Sequence, residues 1–198
     1  MPRSAEQFRQ MQEKRKAKLL SAALYLFATE GFDATSIDEI TKKARCAHGL
    51  FYHYYKDLNE VLVELLSNAK EKPNLLAPLS EAKEAGGLAG LKKLCQYYSG
   101  AAKAKKDEEA EYAKMLLQIR QHNKVNKSGI KGLDPYPVIK SLIKQGQANG
   151  EIIQIPTEQA SEAFVNLVSG TLDQRIILGY KNNKEINADT LIKLFQIR

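Results

Sequence analysis

The stretch from Thr35 to Tyr55, TSIDEITKKARCAHGLFYHYY, leaves the chain few options. Ser36 followed three residues later by Glu39 has capping-box spacing, in which each side chain satisfies a free backbone N–H at the other's position. Ile37, Ile40 and Ala44 then mark one face of a short helix. Arg45-Cys46-Ala47 is a three-residue turn, and His48 to Tyr54 or Tyr55 makes a second short helix. Helices this short are not stable in water on their own, so both must be braced. Upstream, apolar residues at 19, 20, 23, 24, 27 and 28 repeat at helix spacing and Gly31 supplies a stop, predicting a helix over 9–30. Downstream, Asp57 with Glu60 caps a helix carrying Leu58, Val61, Leu62, Leu65 and Leu66. Two short helices joined by a tight turn, with a longer helix on either side, make a helix-turn-helix that buries its apolar faces within about fifty residues.

The rest reads as helix too. With 12 Gly and 6 Pro in 198 residues, breakers are scarce, and β-branched runs are short. Lys72-Pro73 closes the first unit, and residues 73–90, with Pro73, Pro78 and Gly86-Gly87, read as a looser connection. Helical patterns follow over 88–105, 107–122, 135–149 and 157–180, with a last one capped by Asn187 and running to Phe195. The polar segment KVNKSGIKGLDP reads as a loop. The expectation is an all-α protein with an N-terminal three-helix helix-turn-helix domain, residues 1–70, and a helical domain, residues 71–198, with no internal repeat.

Eight residues, His48 to Tyr55, hold four aromatics and two histidines in a chain without tryptophan. A helix-turn-helix lays its second helix in the major groove of DNA, and that use sorts these residues. Phe51 and Tyr55, four apart, suit anchors on the inner face. His48, Tyr52, His53 and Tyr54 offer polar groups outward, and Gly49 lets the helix start close to the duplex. The rival reading is an ordinary aromatic core. The net charge of +7 suits a polyanionic partner, and residues 1–20 alone carry six Lys/Arg against two Glu. His48 and His53 are five apart and do not share a helical face for a metal, and His122 is isolated. Cys46 and Cys95 show no metal-ligand spacing and read as idle thiols, with Arg45 beside Cys46 as a feature that would favour thiolate. No cofactor motif, nucleophile elbow, phosphate-cradling glycine loop or HExxH is present, which argues against an enzyme. No run is long enough to span a bilayer and no signal-peptide pattern precedes the first helix, so the expected location is the cytoplasm.

TSIDEITKKARCAHGLFYHYYKDLNEVL, preceded by LLSAALYLFATEGFDATS, resembles the N-terminal signature of TetR-family transcriptional repressors over roughly residues 15–66. The resemblance implies that Thr35 and Ser36 touch phosphate at the start of the second helix and that Arg45 and Ala47 lie in the turn. It places His48, Gly49 and Leu50 at base edges and sets Tyr52, His53 and Tyr54 to clasp the backbone. Ala47 stands where the family commonly has a capping Ser. Leu58 stands where it often has a phosphate-binding Lys, and Lys56 is the nearby substitute. The implied function is a repressor that binds a near-palindromic double-stranded DNA operator as a homodimer and is released by a small-molecule effector.

In the second domain, Ala160, Phe164, Leu167, Val168, Thr171, Leu172 and Ile176 form a wide apolar stripe, and Gly170 sits among them. The resemblance assigns such a stripe to the dimer interface, while burial within one chain explains it as well. Leu94, Cys95, Tyr98, Tyr112, Met115, Ile119 and Leu142 are candidates to line an effector cavity for an apolar or aromatic ligand, and they fit a filled core equally. The other open readings are a DNA-binding regulator with no ligand and a helical adaptor that does not bind DNA.

Overall fold

The structure, a computed structural model, describes residues 5–103, 107–119, 132–178 and 188–197, with the side chains of 102–103 and 171–178 left undescribed. The helices among these residues are α1 (Ala5–Thr29), α2 (Ile37–Ala44), α3 (His48–Tyr54), α4 (Leu58–Lys70), α5 (Pro73–Ala85), α6 (Gly87–Lys103), α7 (Glu108–Ile119), α8 (Tyr136–Ala148), α9 (Thr157–Leu178) and α10 (Ala188–Lys193). Among the described residues the structure is all-α, with one isolated antiparallel bridge between Ile152 and Gln196.

The head forms as its caps dictate. The Ser36 N–H donates to Glu39 Oε2 at 2.8 Å, and the Glu39 N–H donates to Ser36 Oγ at 3.2 Å, so the capping box closes. The Ser36 hydroxyl and then its N–H hold the Glu39 carboxyl below its ordinary range. Asp57 accepts from the N–H groups of Asn59 and Glu60 and starts α4. Ala47, lacking a polar side chain, leaves α3 without a side-chain cap. What holds α3 is burial: Phe51 is fully buried and Tyr55 nearly so, their rings 5.7 Å apart in the same core as Ile40, Phe27 and Leu65. The turn between α2 and α3 pivots on Arg45, the one described non-glycine residue with positive φ (φ 55°, ψ 49°).

α1 joins the two halves. It packs against α2 and α4 on the head side and against α7 on the other. In the body α6 is the hub, touching α5, α7, α8, α9 and α10. It approaches its neighbours closely at Gly90, where an added Cβ would lie 2.3 Å from the Ala82 carbonyl oxygen of α5 and 2.6 Å from Leu142 Cδ2 of α8.

Three expectations change. Residues 73–85 are helix, not a loose connection: Pro73 opens α5 at a position where its missing N–H costs nothing, and Pro78 is carried inside the helix. Burial of Leu75 and Ala82 in the core outweighs one lost hydrogen bond. The break is confined to Gly86 and Gly87, whose φ values of 68° and 41° turn α5 back onto α6. α1 begins at Ala5 rather than residue 9, and α10 ends at Lys193 rather than Phe195. After it the chain turns so that Ile153 N–H donates to the Phe195 carbonyl and Ile197 N–H to that of Glu151, a pairing with no signal in the periodicity. His122, Asn187 and most of the polar loop of 124–135 lie outside the described residues.

Arg45→Gly is expected to raise stability by about 1 kcal/mol, because glycine enters the left-handed region without the Cβ penalty. Urea denaturation with an unchanged m value is the measurement, and a loss of stability would contradict the backbone assignment. Gly90→Ala is expected to lower stability by about 1–3 kcal/mol, since the Ala82 carbonyl must move to admit the methyl group. A neutral outcome in the same assay would show that α5 and α6 are farther apart than described.

Candidate nucleic-acid interface

α3 is amphipathic across a short span. His48, Gly49, Tyr52 and His53 are exposed and recur at i, i+1, i+4 and i+5, while Phe51 and Tyr55 point into the core. Leu50 lies half-buried at the edge of the exposed stripe. Tyr52 is 55% exposed, an unusual placement for an aromatic that nothing in the chain requires. Gly49 is equally uncalled for by the fold, because a Cβ there would meet nothing within 4 Å. A second helix of a helix-turn-helix that is small, polar and ringed on its free face has the surface needed to enter a groove.

The remaining head residues divide. Ser36 is exposed, but its side chain is engaged with Glu39 in the capping box. Arg45, Ala47 and Lys56 are exposed, and Lys42 adds a further exposed cation on α2. Leu58 is half-buried. Two expected phosphate contacts are placed otherwise. Thr35 is 5% exposed, and its hydroxyl donates to the Gly31 carbonyl at 2.7 Å while its N–H donates to Phe32. Thr35 thus ties down the turn before α2 and does not face outward. Tyr54 is half-buried, and its hydroxyl donates to the Gln12 carbonyl of α1 at 3.1 Å. That makes it a strut between α3 and α1, its proton committed inward.

Sequence reasoning missed Asp38. Its Oδ1 lies 2.6 Å from Nδ1 of His48, joining the first turn of α2 to the first residue of α3. The His48 ring also stands against that of Tyr52, with centroids 5.4 Å apart. A contact between residues ten apart on two helices depends on their crossing, which periodicity along one helix does not report. Lys43 was missed for the same reason: its ammonium sits over the Tyr25 ring of α1, 3.2 Å from the centroid. Cys46 is half-buried, and burial pushes its thiol up, so the neighbouring Arg45 does not produce a thiolate. Burial pushes the Cys95 thiol up to about 12.

In the body, Leu94, Cys95, Tyr98, Tyr112, Met115, Ile119 and Leu142 are all buried and are brought together in the packing of α6, α7 and α8. Tyr112 lies toward the head, with the Lys72 ammonium 5.3 Å from its ring centroid. On α9, the expected interface splits. Phe164 and Val168 face the chain's own core, and the Phe164 ring packs 5.6 Å from that of Phe195. Leu167 faces out, as do Ala163 and Asn166. Thr171 and Leu172 belong to α9, but their side chains lie outside those described.

Comparison with known proteins bears on the head and the fold separately. Residues 19–65 match the family described as bacterial regulatory proteins, tetR family. An HTH-type transcriptional regulator, HbdR of Aromatoleum sp. (strain CIB), is 36% identical over 56 residues, 28% of this chain and 24% of that protein, so the match spans about a quarter of the relative's length. In fold, the chain is similar to the transcriptional regulator FadR from Bacillus subtilis, solved in complex with stearoyl-CoA. That likeness has a TM-score of 0.59 at 17% identity, over 90% of this chain and 96% of that one. A TetR family transcription regulator from Marinobacter aquaeolei VT8 gives a TM-score of 0.56 at 15% identity, over 96% and 100% of the two chains. The head, residues 19–65, thus carries the sequence of the tetR family of bacterial regulatory proteins, and the chain shares along nearly its whole length the fold of solved transcriptional regulators.

Proposed function

We propose that this chain is a TetR-family repressor that binds a near-palindromic operator as a homodimer and leaves it when a small molecule occupies the body. The observation that carries the DNA reading is the free face of α3: His48, Gly49, Tyr52 and His53 stand exposed on a helix anchored from behind by Phe51 and Tyr55. The open space around Gly49 lets a duplex backbone come close where a side chain would hold it off. Arg45, Lys42 and Lys56 supply cations beside this face, and Tyr52 and His53 supply donors for phosphate oxygens. Leu50 supplies an apolar contact of the kind that recognises a thymine methyl group.

The dimer reading rests on the outer face of α9. Ala163, Leu167 and Gly170 recur along it, and a Cβ on Gly170 would meet nothing within 4 Å of its own chain. A mid-helix glycine costs about 1 kcal/mol relative to alanine, and close approach of a second helix would offset it. Two-fold pairing through α9 would present two copies of α3 about one helical turn of DNA apart, matching a two-fold operator. The effector reading rests on the apolar and aromatic residues gathered in α6, α7 and α8, and on FadR, a protein of similar fold that holds stearoyl-CoA. Because α1 packs on both head and α7, a rearranged body would reposition the heads, and effector and operator would weaken each other reciprocally.

Selection of bound duplexes from a random pool tests the DNA reading and is expected to return a two-fold site with half-sites about one turn apart, about 10 base pairs. Affinity is expected to fall linearly with log salt, by nearly one unit of slope for each phosphate neutralised. Tyr52→Ala should weaken binding about five- to tenfold on all sequences alike, the worth of one phosphate hydrogen bond. A loss confined to particular sequences would move Tyr52 to base readout, and flat salt dependence would remove the DNA assignment. Leu167→Glu is expected to yield monomers in analytical ultracentrifugation and to cost more than about tenfold on the two-fold site, since each half-site must then be bound alone. An unchanged dimer would place the interface off this face of α9.

A further inference from the structure

His48 opens α3, at the end of a reading helix whose first residues meet base edges. What its ring shows a base depends on which nitrogen carries the proton. Nδ1 lies 2.6 Å from Asp38 Oδ1. A carboxylate only accepts, so Nδ1 must be the nitrogen with the hydrogen, donating to Asp38. In the neutral ring Nε2 is then a bare acceptor. The Tyr52 ring, 5.4 Å away on the next turn, borders the imidazole as well. The His48 side chain remains half-exposed, so the ring is held at one edge without being buried. Asp38 is itself 82% exposed and sits in the first turn of α2, where the helix dipole favours a negative charge.

We propose that Asp38 is a positioning residue for sequence readout: through the His48 Nδ1–Asp38 Oδ1 contact it fixes the tautomer and orientation of the neutral His48 ring, so that Nε2 of that ring selects a base carrying an exocyclic amino donor, adenine or cytosine, in each half-site. The inference rests on the reading of α3 as the DNA-reading helix. Without Asp38 the ring takes either tautomer and turns freely. With the proton on Nε2 it would instead donate to guanine, to the thymine carbonyl or to adenine N7, which present acceptors in the major groove. Asp38 thereby excludes half of the base alternatives without touching DNA. In the free protein the exposed contact adds little stability. Pressed into a groove and stripped of water, the same contact decides what His48 accepts.

Two measurements test this. Nitrogen-15 NMR of the imidazoles, in alkaline buffer where the ring is neutral, is expected to show His48 protonated on Nδ1 in the native protein. It should show a mixture of tautomers in Asp38→Ala. A native ring protonated on Nε2, or the same tautomer in both proteins, overturns the proposal without reference to DNA. Selection from a random duplex pool in the same alkaline buffer is expected to give the native protein at least about fivefold preference for adenine or cytosine at one position per half-site, the worth of one hydrogen bond. In Asp38→Ala that preference should fall below about twofold, with other positions unchanged. Equal discrimination at every position by both proteins overturns the proposal, because a merely structural Asp38 would shift overall affinity and stability only. Failure of both proteins to bind any duplex would instead remove the DNA reading beneath it, and this inference with it.

Discussion

The head depends on the burial of one aromatic. α3 is seven residues long, less than two full turns, and has no side-chain cap at its start. Its own hydrogen bonds do not sustain a helix of that length in water. Phe51, fully buried, holds it in place, worth about 1.5–3 kcal/mol by transfer from water. Tyr55, nearly as buried, and the inward hydroxyl of Tyr54 add two more attachments. Because these attachments leave from one side, the opposite side of α3 carries only the exposed His48–Asp38 contact, which adds little to stability. Its exposed residues can change without unfolding the head, and a surface that must match a particular operator needs that freedom.

The turn between the helices carries a cost for a similar reason. Arg45 takes a left-handed conformation that a glycine takes without strain, at a penalty of about 1–2 kcal/mol. Its N–H still closes α2 onto Lys42, and Cys46 N–H onto Thr41, so the turn is hydrogen-bonded despite the strain. What arginine adds there is an exposed cation three residues before the exposed start of α3. Backbone strain held at a site with a charge to present fits a binding surface better than a purely structural turn.

The legible parts of this chain were the local ones. Both N-caps, Ser36 with Glu39 and Asp57 with Asn59 and Glu60, operate over two or three residues and close as their spacing predicts. The inward placement of Phe51 and Tyr55 followed from four-residue spacing. Contacts set by helix crossings were not legible: Asp38 with His48, Lys43 with Tyr25, and Tyr54 with the Gln12 carbonyl. Nor does periodicity say where an apolar stripe ends, so Phe164 and Leu167, three apart on α9, read alike although one is fully buried and the other 36% exposed. Pro78 shows the converse error, a strong local breaker overridden by packing on both sides of it along α5.

α1 raises the question of how far the head can move. At 25 residues it spans about 37 Å, and it belongs to both halves. The polar links from the start of α5 to α7 lie at the surface or only partly buried: Lys72 with Glu108 at 3.3 Å and Asn74 with Glu109 at 3.2 Å. Such pairs contribute about 0–1 kcal/mol each and do not lock a domain. The apolar seam is another matter, because Ala22 and Ala23 of α1 and Ala110 and Ala113 of α7 are all buried, small residues that allow close helix approach. A packed seam of this kind has few intermediate positions, so a shift in α7 would move α1 and the head together rather than bend the joint between them. Coupling of about 1–3 kcal/mol is typical of allosteric proteins, within reach of one repacked helix seam and beyond what the peripheral polar links could transmit.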